Sequence, residues 1–298
     1  MQSKGQLLGH LAAFFTITVW AITFISTKVL LVDFSPVEIM FYRLVFALLA
    51  LLVFNPPRFS FPVLGKDFLR AEWRYMAAGL CGVTLYFLFQ NIALSYTLAA
   101  NVSVLVSVAP LLVALVSRAM LGEKLKANFL LGFMAAMTGI ILIAFNGSFV
   151  LKLNPLGDVL SILAALVWAF YSVLIKQISA TQSGMFTVTR KVFFYGLLFV
   201  LPVLPFFEFR LGLERLAVIP SLLNLLFLGV GASALCFVTW NYAVHVLGPV
   251  KTSVYIYLVP LVTIIASLLV LNESISLVSG IGMALILAGM VISERGKA

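Results

Sequence analysis

Charge is scarce in this chain. Of its 298 residues only 10% are Asp, Glu, Lys or Arg, where a soluble domain carries about 25%. Meanwhile 63% are hydrophobic and the mean hydropathy is +1.17. A soluble protein of this size cannot bury so much apolar surface and still cover itself with polar groups, so a soluble enzyme is excluded. Abundant aromatic residues, 13% of the chain, exclude disorder, and no short repeat marks a fibre. The chain belongs in a lipid bilayer.

Other scarcities narrow the function. The two cysteines, Cys81 and Cys236, sit inside apolar runs and read as small packing residues rather than a disulfide or metal ligands. The two histidines, His10 and His245, form no zinc set or catalytic triad. There is no phosphate-binding Walker loop, so the chain is not an ATPase, and no cofactor or metal is expected. No Asp or Glu falls in the middle of an apolar run. Proton exchange through a buried carboxylate is therefore not evident, and facilitated export or exchange fits better. The net charge is +9, but the basic residues lie at the ends of apolar runs. That pattern anchors a membrane protein and does not call for a nucleic-acid partner.

A spanning helix needs about 20 mostly apolar residues. Reading between charges and turn residues gives ten spans, near 10–31, 36–54, 75–95, 99–121, 128–146, 156–176, 185–206, 219–244, 249–271 and 276–293. Stretches such as 130–145 are apolar all round, which excludes the alternating strands of a barrel. The first run is too long for a signal-peptide core and no small-residue cleavage site follows it. With the N-terminus in the cytoplasm, Lys4, Arg58, Lys66, Arg70, Arg74, Arg118, Lys124, Lys126, Lys176, Lys251, Arg295 and Lys297 lie inside, and Lys28, Lys152, Arg210 and Arg215 lie outside. This asymmetry puts both termini in the cytoplasm. The short loops leave no room for a soluble catalytic domain.

The halves repeat. Leu8-Gly9, Val19-Trp20-Ala21 and Lys28 recur as Leu156-Gly157, Val167-Trp168-Ala169 and Lys176, at a spacing of 148. At a spacing of 150, Asn91, Ser103, Pro110, Glu123, Gly132 and Gly139 recur as Asn241, Ser253, Pro260, Glu273, Gly282 and Gly289. His10 and Asp158 are also equivalent, both where a span begins. Five helices per half is an odd number, so the second half enters the membrane from the opposite side. The expected fold is an all-α membrane protein of ten transmembrane helices, built as two inverted-topology five-helix repeats over 8–146 and 155–293. Such repeats are common in secondary transporters, with the substrate site between the halves near the midplane.

The ordered set Ala99-Ala100-Asn101-Val102-Ser103-Val104-Leu105, Pro110-Leu111, Leu121-Gly122-Glu123-Lys124-Leu125, Gly132 and Gly139 resembles the EamA domain of the drug/metabolite transporter superfamily. The second copy, with Ser253, Pro260, Leu271-Asn272-Glu273, Gly282 and Gly289, resembles it again, and Pro36 followed by Arg43 is similar to that domain's second helix. The second copy departs in having Lys191 where Arg43 would align and Asn272 where the first has Gly122. The resemblance implies ten helices, cytoplasmic termini, and export or exchange of small metabolites across the inner membrane. Amino acids, aromatic ones among them, are the foremost substrate class. Alternatives are uptake or exchange of a nucleotide derivative, drug efflux, or a non-transporting intramembrane enzyme or assembly protein. The partners expected are a small-molecule substrate and the lipid bilayer, with the protein a monomer or homodimer.

Candidate site residues follow from polarity inside apolar runs. Arg43 lies well within the second span, where a charge is costly unless paired or hydrated. It is either a substrate contact or a structural group with Glu38 as partner. With Lys191 it forms the one pair of cations available to an anionic substrate. Pro110 and Pro260 each remove a helix hydrogen bond and are candidate hinges or static kinks. Asn91, Asn101, Asn241 and Gln90 are either glue between helices or cavity lining. Trp20 and Trp168 lie near the centres of their spans, away from the interfacial belts Trp usually occupies. With Tyr86, Tyr171 and Tyr255 they are candidates for a cavity wall that stacks a substrate, or for core. Glu123 and Glu273 read as structural carboxylates at helix N-termini.

Overall fold

The computed structural model describes residues 2–56, 66–97, 99–144, 154–181, 184–207, 209–262 and 277–294. Asn272, Glu273 and the end of the expected span 249–271 lie outside the described residues. Helices occupy all ten expected positions, with no strand among the described residues. They are α1 (Gln2–Leu30), α2 (Pro36–Phe54), α5 (Ala127–Ala144), α6 (Pro155–Ser179), α7 (Met185–Val200) and α10 (Leu277–Glu294), and four composite rods. Rod α3 runs as Lys66–Gly79, a π-helical stretch Leu80–Leu85, and Tyr86–Tyr96. Rod α4 joins Ala99–Val106 to Ala109–Leu121, and α8 joins Ile219–Leu226, a π-helical stretch Phe227–Leu235, and Cys236–Leu247. Rod α9 starts with Pro249–Ser253 and the 3₁₀ turn Val254–Tyr257, and continues to Val262. Six of these, α1, α2, α3, α4, α6 and α8, are long and apolar enough to cross a membrane. Three more, in α5, α9 and α10, are shorter apolar helices. The chain is a multi-pass, all-helical membrane protein.

Local chemistry explains several ends. Ser35 opens α2 with a capping box: its hydroxyl accepts from the Glu38 N–H, and the Glu38 carboxylate accepts from the Ser35 N–H at 2.8 Å. Pro36 follows at a position whose N–H would be unused. The Asn154 side chain caps α6 by accepting from the Gly157 N–H. Gly122, at φ 71°, takes the left-handed conformation that ends α4. Helix α7 stops at Val200, short of the expected 206, because Pro202 and Pro205 cannot donate to a continuing ladder. Pro110 and Pro260 follow local breaks: α4 is interrupted at residues 107–108, and α9 tightens to 3₁₀ over Val254–Tyr257.

The packing repeats as the sequence does. Helices α5 and α10 run antiparallel, with Gly132 against Gly289 and Gly139 against Gly282. A Cβ on Gly282 would come within 2.7 Å of the Gly139 carbonyl, and one on Gly289 within 2.5 Å of the Gly132 carbonyl. Gly9 of α1 packs on Leu247 of α8, and its equivalent Gly157 of α6 packs on Thr97 beyond α3. Lys28 donates to the carbonyls of Leu94 and Thr97, and its equivalent Lys176 to that of His245, each closing the C-terminal end of a neighbouring helix. The core is continuous across both halves.

Candidate functional site

A cleft open on one side lies between the halves. Helix α1 presents Ile17, Trp20, Thr23 and Phe24 to it, residues three and four apart and so on one face. Helix α2 contributes Arg43, α3 contributes Tyr86, Phe87 and Gln90, and α4 Ser103 and Val106. The second half adds Trp168 of α6, Phe237 of α8, and Ile256 and Val259 of α9.

The walls are aromatic. Trp20 meets Trp168 edge-on at 5.2 Å and Phe237 at 5.4 Å, and Tyr86 lies 4.9 Å from Trp168. Such pairs contribute about 0.5–1.5 kcal/mol each beyond their buried area. Arg43 sits among them, 2% exposed, its guanidinium 3.9 Å above the Phe87 ring in a cation–π contact. Its Nε donates to Ser233 Oγ at 2.6 Å. The indole N–H of Trp20 donates to the Ala232 carbonyl at 2.7 Å. Both acceptors belong to the π-helical stretch of α8. A widened turn of this kind is frequent at functional sites, and α3 carries its own at Leu80–Leu85, the repeat-equivalent position.

Arg43 has no carboxylate partner among the described residues. The expected partner, Glu38, is taken by Arg215 through two contacts of 2.9 Å and by the Arg210 N–H. A bidentate pair of that geometry leaves nothing for Arg43, so that expectation is corrected. Outside the membrane, the Glu38 hydrogen bond pushes the Arg215 pKa further up. Lys191 does not share the cleft with Arg43 either. It is paired with Glu72 and lies over the Tyr75 ring, because Glu72 on α3 faces α7.

Of the remaining sequence candidates, Trp20, Arg43, Tyr86, Gln90 and Trp168 are brought together in the cleft wall. The others lie outside it. Asn91 donates to the Pro36 carbonyl at 3.0 Å, tying α3 to α2. Its equivalent Asn241 donates to Thr189 of α7 and accepts from the Tyr171 hydroxyl at 2.6 Å. Asn101 donates to Thr97, and the Tyr255 hydroxyl meets His10 Nδ1 at 2.7 Å. Pro110 and Pro260 are buried away from the lining. Glu123 lies four residues before α5, outside the turn where a helix dipole acts. Burial raises its carboxyl pKa, while nearby Lys176 lowers it. Phe87, Phe237 and Thr23 line the cleft without having stood out in the sequence, and Ser103, which marks the repeat, lines it too. The signal for Thr23 is its spacing of three from Trp20; for Phe87 and Phe237, apolar among apolar, there is none.

The sequence profile of the EamA-like transporter family matches residues 7–145 and again 155–294. An uncharacterized transporter of Archaeoglobus fulgidus is 31% identical over 98% of both chains. A protein of Streptantibioticus cattleyicolor named "Probable terminal-alkyne amino-acid exporter" is 28% identical over 94% of this chain and 91% of its own. A solved crystal structure, 19% identical, superposes with a TM-score of 0.74 over 99% of this chain and 97% of that one, a likeness of fold.

Proposed function

Because the chain belongs to the EamA-like transporter family, we propose that it exports or exchanges amino acids, aromatic ones among them, across the cell's inner membrane by alternating access through the central cleft. That it is a membrane transporter, not an enzyme, follows from the family. In this reading all ten helices span the bilayer, both termini are cytoplasmic, and the two halves exchange conformations about the α5–α10 contact.

One observation carries the substrate class: a buried arginine without a carboxylate partner, set in an aromatic wall. A fixed cation at that depth is costly, and a substrate carboxylate offsets that cost while its side chain stacks on Trp20, Trp168 and Tyr86. The amino-acid exporter name of the S. cattleyicolor relative points the same way. No Asp or Glu lines the cleft among the described residues, which favours facilitated movement or exchange over carboxylate-driven proton antiport. A nucleotide derivative ranks second: its phosphates call for several cations, and Lys191 is held by Glu72. The aromatic walls also suit drug efflux.

Flux from proteoliposomes loaded with amino acids, polyamines, nucleotides or drugs tests the proposal. Amino-acid flux well above protein-free vesicles is expected. Robust flux of another class with none of amino acids overturns it.

A further inference from the structure

Nine buried side-chain polar atoms lack a hydrogen-bond partner among the described residues, and only two of them belong to residues of the cleft wall: the amide oxygen of Gln90 and the indole N–H of Trp168. Gln90 is 2% exposed and Trp168 3%. An acceptor and a donor left unpaired in a site walled by aromatic rings await a ligand, since leaving either unmade is the costly outcome.

The repeat explains why Trp168 is free. Its equivalent, Trp20, spends its N–H on the Ala232 carbonyl in the π-helical stretch of α8. The residue equivalent to Ala232 in α3 is Gly82, and there the Tyr171 ring packs so closely that a Cβ would strike it. Tyr171 occupies the place of Thr23 in the first half, and its hydroxyl is fixed on Asn241. The bulk of Tyr171 thus blocks the structural bond that its twin makes, and the Trp168 N–H is left without a partner on a residue of the cleft wall. Gln90 lies one helical turn beyond Tyr86 and Phe87, the ring on which Arg43 rests.

We propose that Gln90 and Trp168 determine specificity by reading both ends of an α-amino acid backbone, Gln90 Oε1 accepting from the ammonium and Trp168 Nε1 donating, beside Arg43, to the carboxylate. This rests on the amino-acid reading above and goes beyond it by requiring a zwitterion. A site built to bond a polar group rejects analogues that lack it, because its own buried atoms then stay unpaired.

Competition against radiolabelled L-phenylalanine uptake into wild-type proteoliposomes tests this, with 3-phenylpropionate (no ammonium) and phenethylamine (no carboxylate) as competitors. Both are expected to compete at least about tenfold more weakly than unlabelled phenylalanine. In Gln90→Met the advantage of phenylalanine over 3-phenylpropionate closes, while 3-phenylpropionate competes as in the wild type. In Trp168→Phe, which keeps a ring but removes the N–H, the advantage over phenethylamine narrows. Equal competition by 3-phenylpropionate in the wild type, or equal weakening of both ligands in Gln90→Met, overturns the proposal and leaves the amino-acid reading standing. The wild-type arm decides by itself if a variant fails to fold. Wild-type vesicles that move nucleotides or drugs and no amino acid overturn both.

Discussion

At the scale of the residue, Arg43 is both the most legible and the least legible part of the site. A lone charge within an apolar run is visible in any sequence. Its surroundings are not: Ser233, which receives its Nε, lies 190 positions away, and Phe87, which carries its planar face, is one of 26 phenylalanines. Glu38, five positions before it, looked like the natural partner because proximity along the chain is what a sequence displays. The N-terminal end of α2 gives that carboxylate to Arg215 instead. The geometry makes a guanidinium, not merely a positive charge, the requirement, since a lysine supplies neither a planar face for Phe87 nor a fork for a carboxylate. Arg43→Lys is expected to lower the amino-acid transport efficiency (kcat/KM) by about 10–100-fold, equivalent to about 1.4–2.8 kcal/mol, in proteoliposome flux. Wild-type flux from this variant would reduce Arg43 to a bulk charge.

At the scale of the element, apolar runs announced the helices, and prolines and capping residues set many of their ends. The π-helical stretches in α3 and α8 were invisible, because widening one turn of the ladder leaves hydropathy unchanged. They matter to the site, since the one in α8 supplies the acceptors for both Trp20 and Arg43. In the sequence the glycines of α5 and α10 mark a repeat. In the structure they are also where two backbones touch, a close approach that small residues permit between membrane helices. Gly289→Ala places a methyl about where the Gly132 carbonyl and the Ala136 backbone already stand. Overpacking of this kind costs about 1–3 kcal/mol, and the variant is expected to melt at a lower temperature in detergent than the wild type. Gly280→Ala, on the same helix but with open space around it, is expected to melt no lower than the wild type. Equal loss in the two variants would mean that the α5–α10 contact does not set the effect, since helix propensity alone favours alanine over glycine at both positions.

At the scale of the molecule, equivalent residues make equivalent contacts across the halves, as Gly9 with Leu247 and Gly157 with Thr97 do, while the cleft departs from that symmetry. Trp20 is bonded where Trp168 is not, and Arg43 faces the cleft where its counterpart Lys191 is held by Glu72. A repeated scaffold is what alternating access needs, and an asymmetric lining is what selectivity needs. The repeat was readable because identity at a fixed spacing survives in sequence. The asymmetry was not, because it depends on which ring fills the space beside Gly82. If the halves exchange conformations, contacts between first-half and second-half helices near one end of the cleft must part during each cycle. His10 of α1 and Tyr255 of α9 form such a contact, their side chains 2.7 Å apart. In a protein with Cys81 and Cys236 replaced by alanine, His10→Cys with Tyr255→Cys, bridged by a short bifunctional thiol reagent, is expected to stop flux. Either single cysteine treated alike is expected to retain it. Release of the bridge by reductant, where the reagent is cleavable, is expected to restore transport. Undiminished flux from the bridged double variant would show that α1 and α9 move together, placing the motion elsewhere in the bundle.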